Sequence, residues 1–429
     1  MLLYQASVLL LSAASLSVIP STVAFEYRAP TPDELQKLKA TAFRAAHHHY
    51  HHHHPHAHPY AAAKHYAQQL QRQQQAPPSS SAGVDEECLV FEDQFEQFNL
   101  KTWQHEITLS GGGNWEFQYY TNNRSNSFVE NGVLYLKPTL TSMTVGEQAV
   151  TDDGKITLWS GQPSEDCTDN SNYGCDRSSG AVADGNYLNP IQSARIRTID
   201  SVSLRYGRVE VRARMPIGDW LWPAIWMMPK YSSYGSWPAS GEIDIAEGVG
   251  NRNFIANAST ISSTLHWGPN AYLDEYLRTS ESIVFDSGNR RNGTWADDFH
   301  TYGLEWTPNG IRTYVDTATI LQVDFDQPAF ERGEFDANTT MNPWKSGNLS
   351  APFDQEFFLI LNVAVGGTNG YFPDDKAKPW QNDNAHAMNQ FYNARDTWLP
   401  TWGEGNRRAL AIDWIRMWSF DKNDTRCRT

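Results

Sequence analysis

The stretch Trp237-Pro238-Ala239-Ser240-Gly241-Glu242-Ile243-Asp244-Ile245-Ala246-Glu247-Gly248 places three carboxylates within six residues, interleaved with Ile243, Ile245 and Ala246. Alternation of this kind predicts a β-strand with one packed face and one wet face. Residues two apart on a strand share a face, so Glu242 and Asp244 point the same way. Glu247 has the wrong parity. On a straight strand it would turn into the core, where an unpaired carboxylate is costly. One inserted residue, a β-bulge near Ala246, returns it to the wet face.

Three like charges on one strand face repel one another, which a surface selected for stability avoids. A site that handles protons needs them. The bland alternative, an exposed acidic strand edge, does not account for Trp222, Trp226 and Trp237 close before it in the chain. Retaining glycoside hydrolysis uses a nucleophilic carboxylate and a carboxylic acid about 5–5.5 Å apart. Four strand steps of about 3.3 Å after the bulge put the Cα atoms of Glu242 and Glu247 about 13 Å apart. The two side chains must lean together, and glutamate has the reach that aspartate lacks. Asp244, between them, is expected to raise a neighbour's pKa and keep a proton in the trio.

The Glu-x-Asp-x-x-Glu pattern, preceded by Trp222-Pro223-Ala224-Ile225-Trp226-Met227-Met228-Pro229, resembles family 16 of the glycoside hydrolases, in the branch of laminarinases and invertebrate β-1,3-glucan-binding proteins. The resemblance spans about residues 89–420. It implies an all-β fold, a jelly-roll β-sandwich with a concave carbohydrate-binding cleft. By resemblance, Glu242 is the nucleophile, Glu247 the acid/base, and Asp244 the residue that orients and tunes them. A lone tryptophan is usually core, but Trp226 and Trp237 beside an acidic strand are read as sugar platforms. Gly111 to Tyr120 resembles a loop at the cleft rim and carries Trp115. Asn126 and Arg195 match cleft positions, where they would donate to sugar hydroxyls, and Arg195 has the further option of pairing with a carboxylate. His266 also matches a cleft position, although a lone histidine is more often structural. The resemblance further implies a structural calcium ion, mapped onto Glu92, Gly132 and Asp413, whose hard oxygen donors suit that ion. No cofactor is expected for the chemistry itself.

The rest of the chain agrees with these expectations. A net charge of −15 argues against nucleic acid or an anionic membrane as partner. Sixteen tryptophans and nineteen tyrosines exceed what a sheet-on-sheet core needs and suit a carbohydrate groove. Met1 to Ala24 reads as a secretory signal peptide, with an apolar run from Val8 to Ile19 before Thr22-Val23-Ala24. That run is too short to span a bilayer. Four cysteines fit an oxidising compartment. Cys167 with Cys175 is the simplest pairing, leaving Cys88 with Cys427, and a four-cysteine zinc site lacks the tight spacing it needs. Six Asn-x-Ser/Thr sequons begin at Asn123, Asn257, Asn292, Asn338, Asn348 and Asn423.

Residues 25–84 hold ten of the fourteen histidines, within 47–65, and a glutamine-rich run. Such a segment buries too little apolar surface to order itself. It reads as a linker or propeptide, and the alternative is binding of zinc, copper or a mineral surface by clustered imidazoles. From residue 85 to 429 the chain reads as one domain of short strands and turns. Ser127 to Leu136 is a hairpin around Asn131-Gly132. Tyr206 to Met215 alternates cleanly. Phe357 to Val365 is a continuous apolar run suited to a strand buried on both faces, and Ala409 to Trp418 closes the series. Many short strands without a helical period mean a sandwich or barrel.

Two functions follow. One is a secreted, monomeric endo-β-1,3-glucanase acting on laminarin-like β-1,3-glucan by retaining double displacement. The other is a non-catalytic β-1,3-glucan-binding pattern-recognition protein of innate immunity. Both glutamates are present, and residues 25–84 are too short and polar for a glucan-binding module, which favours the enzyme.

Overall fold

The computed structural model describes residues 87–162, 165–254, 257–285, 293–421 and 423–427. The expected signal peptide, the His-rich segment and the Asn292 sequon lie outside these residues.

Two eight-stranded sheets, in which every pairing is antiparallel, make the domain. In the first, the path runs Ala318–Asp324, Gly310–Val315, His300–Thr307, Gly207–Arg214, Leu410–Ser419, Val133–Leu136, Ser127–Glu130, with Cys88–Asp93 also paired to Leu410–Ser419. Neighbours distant in sequence, such as Gly207–Arg214 beside Leu410–Ser419, give the crossovers of a jelly roll. Gly207–Arg214 alternates buried and half-buried residues throughout, so Val209, Val211 and Ala213 face inward. The Asn131-Gly132 hairpin closes with both residues at positive φ, 53° and 74°, as its two-residue turn requires.

The second sheet carries the carboxylates. Its centre is five strands: Arg195–Arg197, Phe357–Val365, Leu221–Pro229, Glu242–Gly248 and Thr260–His266, in that spatial order. We call the last four the apolar, tryptophan, acid and histidine strands. Ile196, Leu361, Ile225, Ile243, Ile245 and Leu265 enter one core with Val209, Leu304, Trp306 and Met417 of the first sheet. The apolar strand is buried at all nine positions. Among the described residues the longest helix is Ala387–Asn393, in a segment that carried no helical signal.

The bulge falls in the acid strand. Trp226 pairs with Asp244 and Ile225 with Ala246, so Ile245 is the additional residue. On the other side Asp244 opposes Thr264 and Glu247 opposes Ser262, leaving Ser263 against two residues. The freed carbonyl of Ile245 is taken by the buried Ser263 hydroxyl, which donates to it at 2.6 Å. Both cysteine pairs are disulfides, Cys88–Cys427 and Cys167–Cys175.

Candidate active site

Register across the second sheet sets out the site in rows. One row reads Arg195, Asn362, Ala224, Glu247, Ser262, and the next reads Ile360, Trp226, Asp244, Thr264. Glu242 opposes His266. Residues directly opposite in antiparallel pairs share a face. Glu242, Asp244 and Glu247 therefore share the face turned away from the core, with Trp226 and His266.

Each outer carboxylate receives an indole N–H. Trp237 Nε1 donates to Glu242 Oε2 at 2.6 Å, and Trp222 Nε1 donates to Glu247 Oε1 at 2.8 Å. Trp222 is held by Tyr371, stacked on it at 3.7 Å and 5°, whose hydroxyl donates to the Gly248 carbonyl. Trp226 donates instead to Asn362 Oδ1 at 2.7 Å, and the Arg195 guanidinium lies 5.2 Å from its ring centre. Trp237 is 41% exposed and Trp115, at φ 53°, 57% exposed, so both rings present area to solvent.

Burial raises all three carboxyls. Glu242 is pushed up to about 8, by desolvation and then by the Asp244 charge. Glu247 is pushed up to about 7, again chiefly by desolvation, and Asp244 to about 6 by desolvation and Glu247. The free trio thus keeps protons at neutral pH. The largest rise is on Glu242, beside Asp244, whereas the acid/base role that the resemblance implies calls for the proton on Glu247. His266 answers this charge. Burial disfavours its cation, but Asp244 and Asp274 more than offset the cost and raise it to about 12. Its Nε2 lies 3.4 Å from Asp244 Oδ2, and Nδ1 lies 2.6 Å from Asp274 Oδ2. Asp244 Oδ2 is buried without a hydrogen bond. Glu242, Asp244 and His266 bring possible donor atoms within 4.8 Å of one another. A protonated imidazole has no lone pair to give, so this is a poor metal set.

Two expectations need correction. Asn126 is fully buried, and its amide nitrogen donates to the Lys137 carbonyl, Thr139 Oγ1 and the Gln192 carbonyl. It braces strands and offers nothing to a sugar. The calcium set does not fit as the side chains stand: Glu92 Oε1 accepts from Arg416 at 2.8 Å, and Asp413 is paired to Arg212. Gly132 is the hairpin turn residue. Arg195 is nearly buried and bound to Glu106 at 3.3 Å and Glu116 at 3.8 Å, so it backs Trp226 rather than reaching into solvent. Sequence reasoning missed Asn362, Tyr371 and Asp274. The first had a signal, as the one strongly polar residue in the run Phe357–Val365.

The family model described as "Glycosyl hydrolases family 16" matches residues 141–349. A "Beta-1,3-glucan-binding protein" of Penaeus monodon is 46% identical over 79% of this chain and 92% of its own length. A "Glucan endo-1,3-beta-glucosidase" of Cryptopygus antarcticus is 32% identical over 72% of this chain and 92% of its own length. The laminarinase from Rhodothermus marinus superposes with a TM-score of 0.47 at 28% identity, over 78% of this chain and 98% of that one. Some relatives are longer, and the chain spans 65% of a Manduca sexta glucan-binding protein.

Proposed function

The chain belongs to glycosyl hydrolases family 16, and on that premise we propose that it is a retaining endo-β-1,3-glucanase. The observation that carries this reading is the bulged strand face on which Glu242 and Glu247 each accept an indole N–H, with Asp244 between them. Glu242, once ionised, attacks the anomeric carbon. Glu247 protonates the departing glycosidic oxygen, then takes a proton from the water that releases the glycosyl–enzyme ester. The two indoles hold the carboxyls in place and favour the charged form of each. Trp237 and Trp115 supply faces on which pyranose rings stack. The two disulfides support action outside the cell.

The test is purified protein on laminarin, followed by proton NMR of the first product. The β-anomer is expected first, and Glu242→Gln or Glu247→Gln should lower kcat by several orders of magnitude while glucan is still bound. An α-anomer first would remove Glu242 as nucleophile. The second reading, recognition without hydrolysis, is favoured by relatives that are named glucan-binding proteins. Tight binding by the unsubstituted protein with no product at all would select it.

A further inference from the structure

We propose that Asp274 is a positioning residue for the carboxyl trio: its carboxylate fixes the His266 ring so that Nε2 faces Asp244. No glucan contact is assigned to Asp274, which acts from behind the ring. Its two oxygens do two tasks. Oδ2 meets His266 Nδ1 at 2.6 Å, and Oδ1 accepts the Trp267 backbone N–H at 3.2 Å. The loop that carries it is built tightly. Glu275 N–H donates to the Trp267 carbonyl, and Trp267 is itself buried and donates to Thr279. A Cβ on Gly268 would lie 2.0 Å from the Leu273 carbonyl oxygen and 3.0 Å from Asp274 Cα, so only glycine lets the loop close. Trp267 to Asp274 thus forms a short lariat that returns a carboxylate to the end of the histidine strand.

The consequence is electrostatic. His266 is faced by Glu242 and Asp244 from the acid strand, with Glu247 beyond them, and by Asp274 and the stacked Tyr276 ring from its own loop. Trp237 packs on it at 5.5 Å, and the strand on the other side contributes the neutral Ser280 beside Thr264. An imidazole with both nitrogens against carboxylates keeps two protons, and its charge favours ionisation in the trio. Without Asp274, one of the two anchors is gone. The ring can then lose its Nδ1 proton and turn, and the trio holds its protons to higher pH.

The kinetic part of this proposal rests on the reading of Glu242 and Glu247 as reacting groups. The state of the ring does not, so the experiment uses both. In the whole protein, imidazole NMR should show His266 still protonated at pH 8. Asp274→Asn keeps an acceptor for Trp267 and removes the charge, and should weaken His266 proton binding by ~10- to 100-fold. On laminarin, both limbs of its kcat profile should move to higher pH, with KM little changed. In a His266→Gln background, Asp274→Asn should add no further pH shift. A His266 that titrates near 6.5 in the unsubstituted protein overturns the proposal, even if no glucan is cleaved. So does an Asp274→Asn effect of equal size with and without His266, which would mark a purely structural loop residue.

Discussion

Glu242 pairs the largest rise among the three carboxyls with the chemical task that most needs ionisation. Its neighbour Asp244 is the second cause of that rise, after burial. Asp244→Asn keeps the size and removes the charge. Glu242 should then ionise at lower pH, so the acid limb of the pH–rate profile moves down. Glu247, whose charge acts mutually with Asp244, should follow with the alkaline limb. The shifts belong to the trio and not to one carboxyl. A loss of kcat with both limbs unmoved would show that Asp244 positions groups without tuning them. The same raised values act on stability. A carboxyl that binds its proton more tightly folded than unfolded makes stability fall as pH rises between the two values. For Glu242 that window runs from its ordinary 4.5 to about 8. Glu242→Gln should therefore melt a few degrees higher than the unsubstituted protein at pH 8, with a smaller difference at pH 4.5. An equal difference at both values would mean that burial of the charge is not what Glu242 costs the fold.

The acid strand shows what a sequence can disclose about an element and what it cannot. Parity alone required an inserted residue between Asp244 and Glu247, because three carboxylates had to leave the core together. Which residue is extra depends on partners. Only the pairing with Trp226 and Ile225 singles out Ile245, since the side of Thr264 and Ser262 leaves two residues against Ser263. Ser263 carried a signal that the sequence reading did not use, a hydroxyl at an inward position between Ile261 and Leu265. The strands Gly207–Arg214 and Phe357–Val365 were readable from alternation and from unbroken apolarity. Asn126 was misplaced because a position in a pattern does not say whether the fold will bury it, and the carboxylates mapped for calcium are drawn to Arg416 and Arg212, partners the pattern did not show. Asp274 was silent, since a loop aspartate gains its meaning only when Gly268 lets the chain fold back. Ser263→Ala should leave the Ile245 carbonyl buried and unpaired, at a cost of ~1–3 kcal/mol. The bulge also sets where Glu247 points, so kcat should fall more than KM rises. Unchanged melting and unchanged kcat would show that the bulge holds itself.

Across the whole domain, the two disulfides divide between stability and site. Cys88–Cys427 spans 339 positions and joins the first described strand to the segment that follows the last one. Cys88–Asp93 already pairs with Leu410–Ser419, so the bridge adds little to the native geometry, and its effect lies in the unfolded chain. On the chain-entropy account, closing so long a loop stabilises by roughly 5–6 kcal/mol, against about 2.5 kcal/mol for the eight-position span of Cys167–Cys175. The short bridge has a different neighbourhood. Its loop accepts the Leu109 N–H on the Gly174 carbonyl at 2.7 Å and the Thr108 hydroxyl on the Asp169 carbonyl at 2.7 Å. Those residues lead into Gly111–Gly113 and the exposed Trp115. Replacing Cys88 and Cys427 by serine should therefore produce the larger fall in melting temperature, with KM for laminarin nearly unchanged in the folded protein. Replacing Cys167 and Cys175 should produce the smaller fall in melting temperature and the larger rise in KM, because the loop beneath Trp115 loosens. Calorimetry and steady-state kinetics on the two double variants decide the matter. If the short bridge proved the more stabilising, or if its loss left KM unmoved, the disulfide loop would have no part in holding the Trp115 rim.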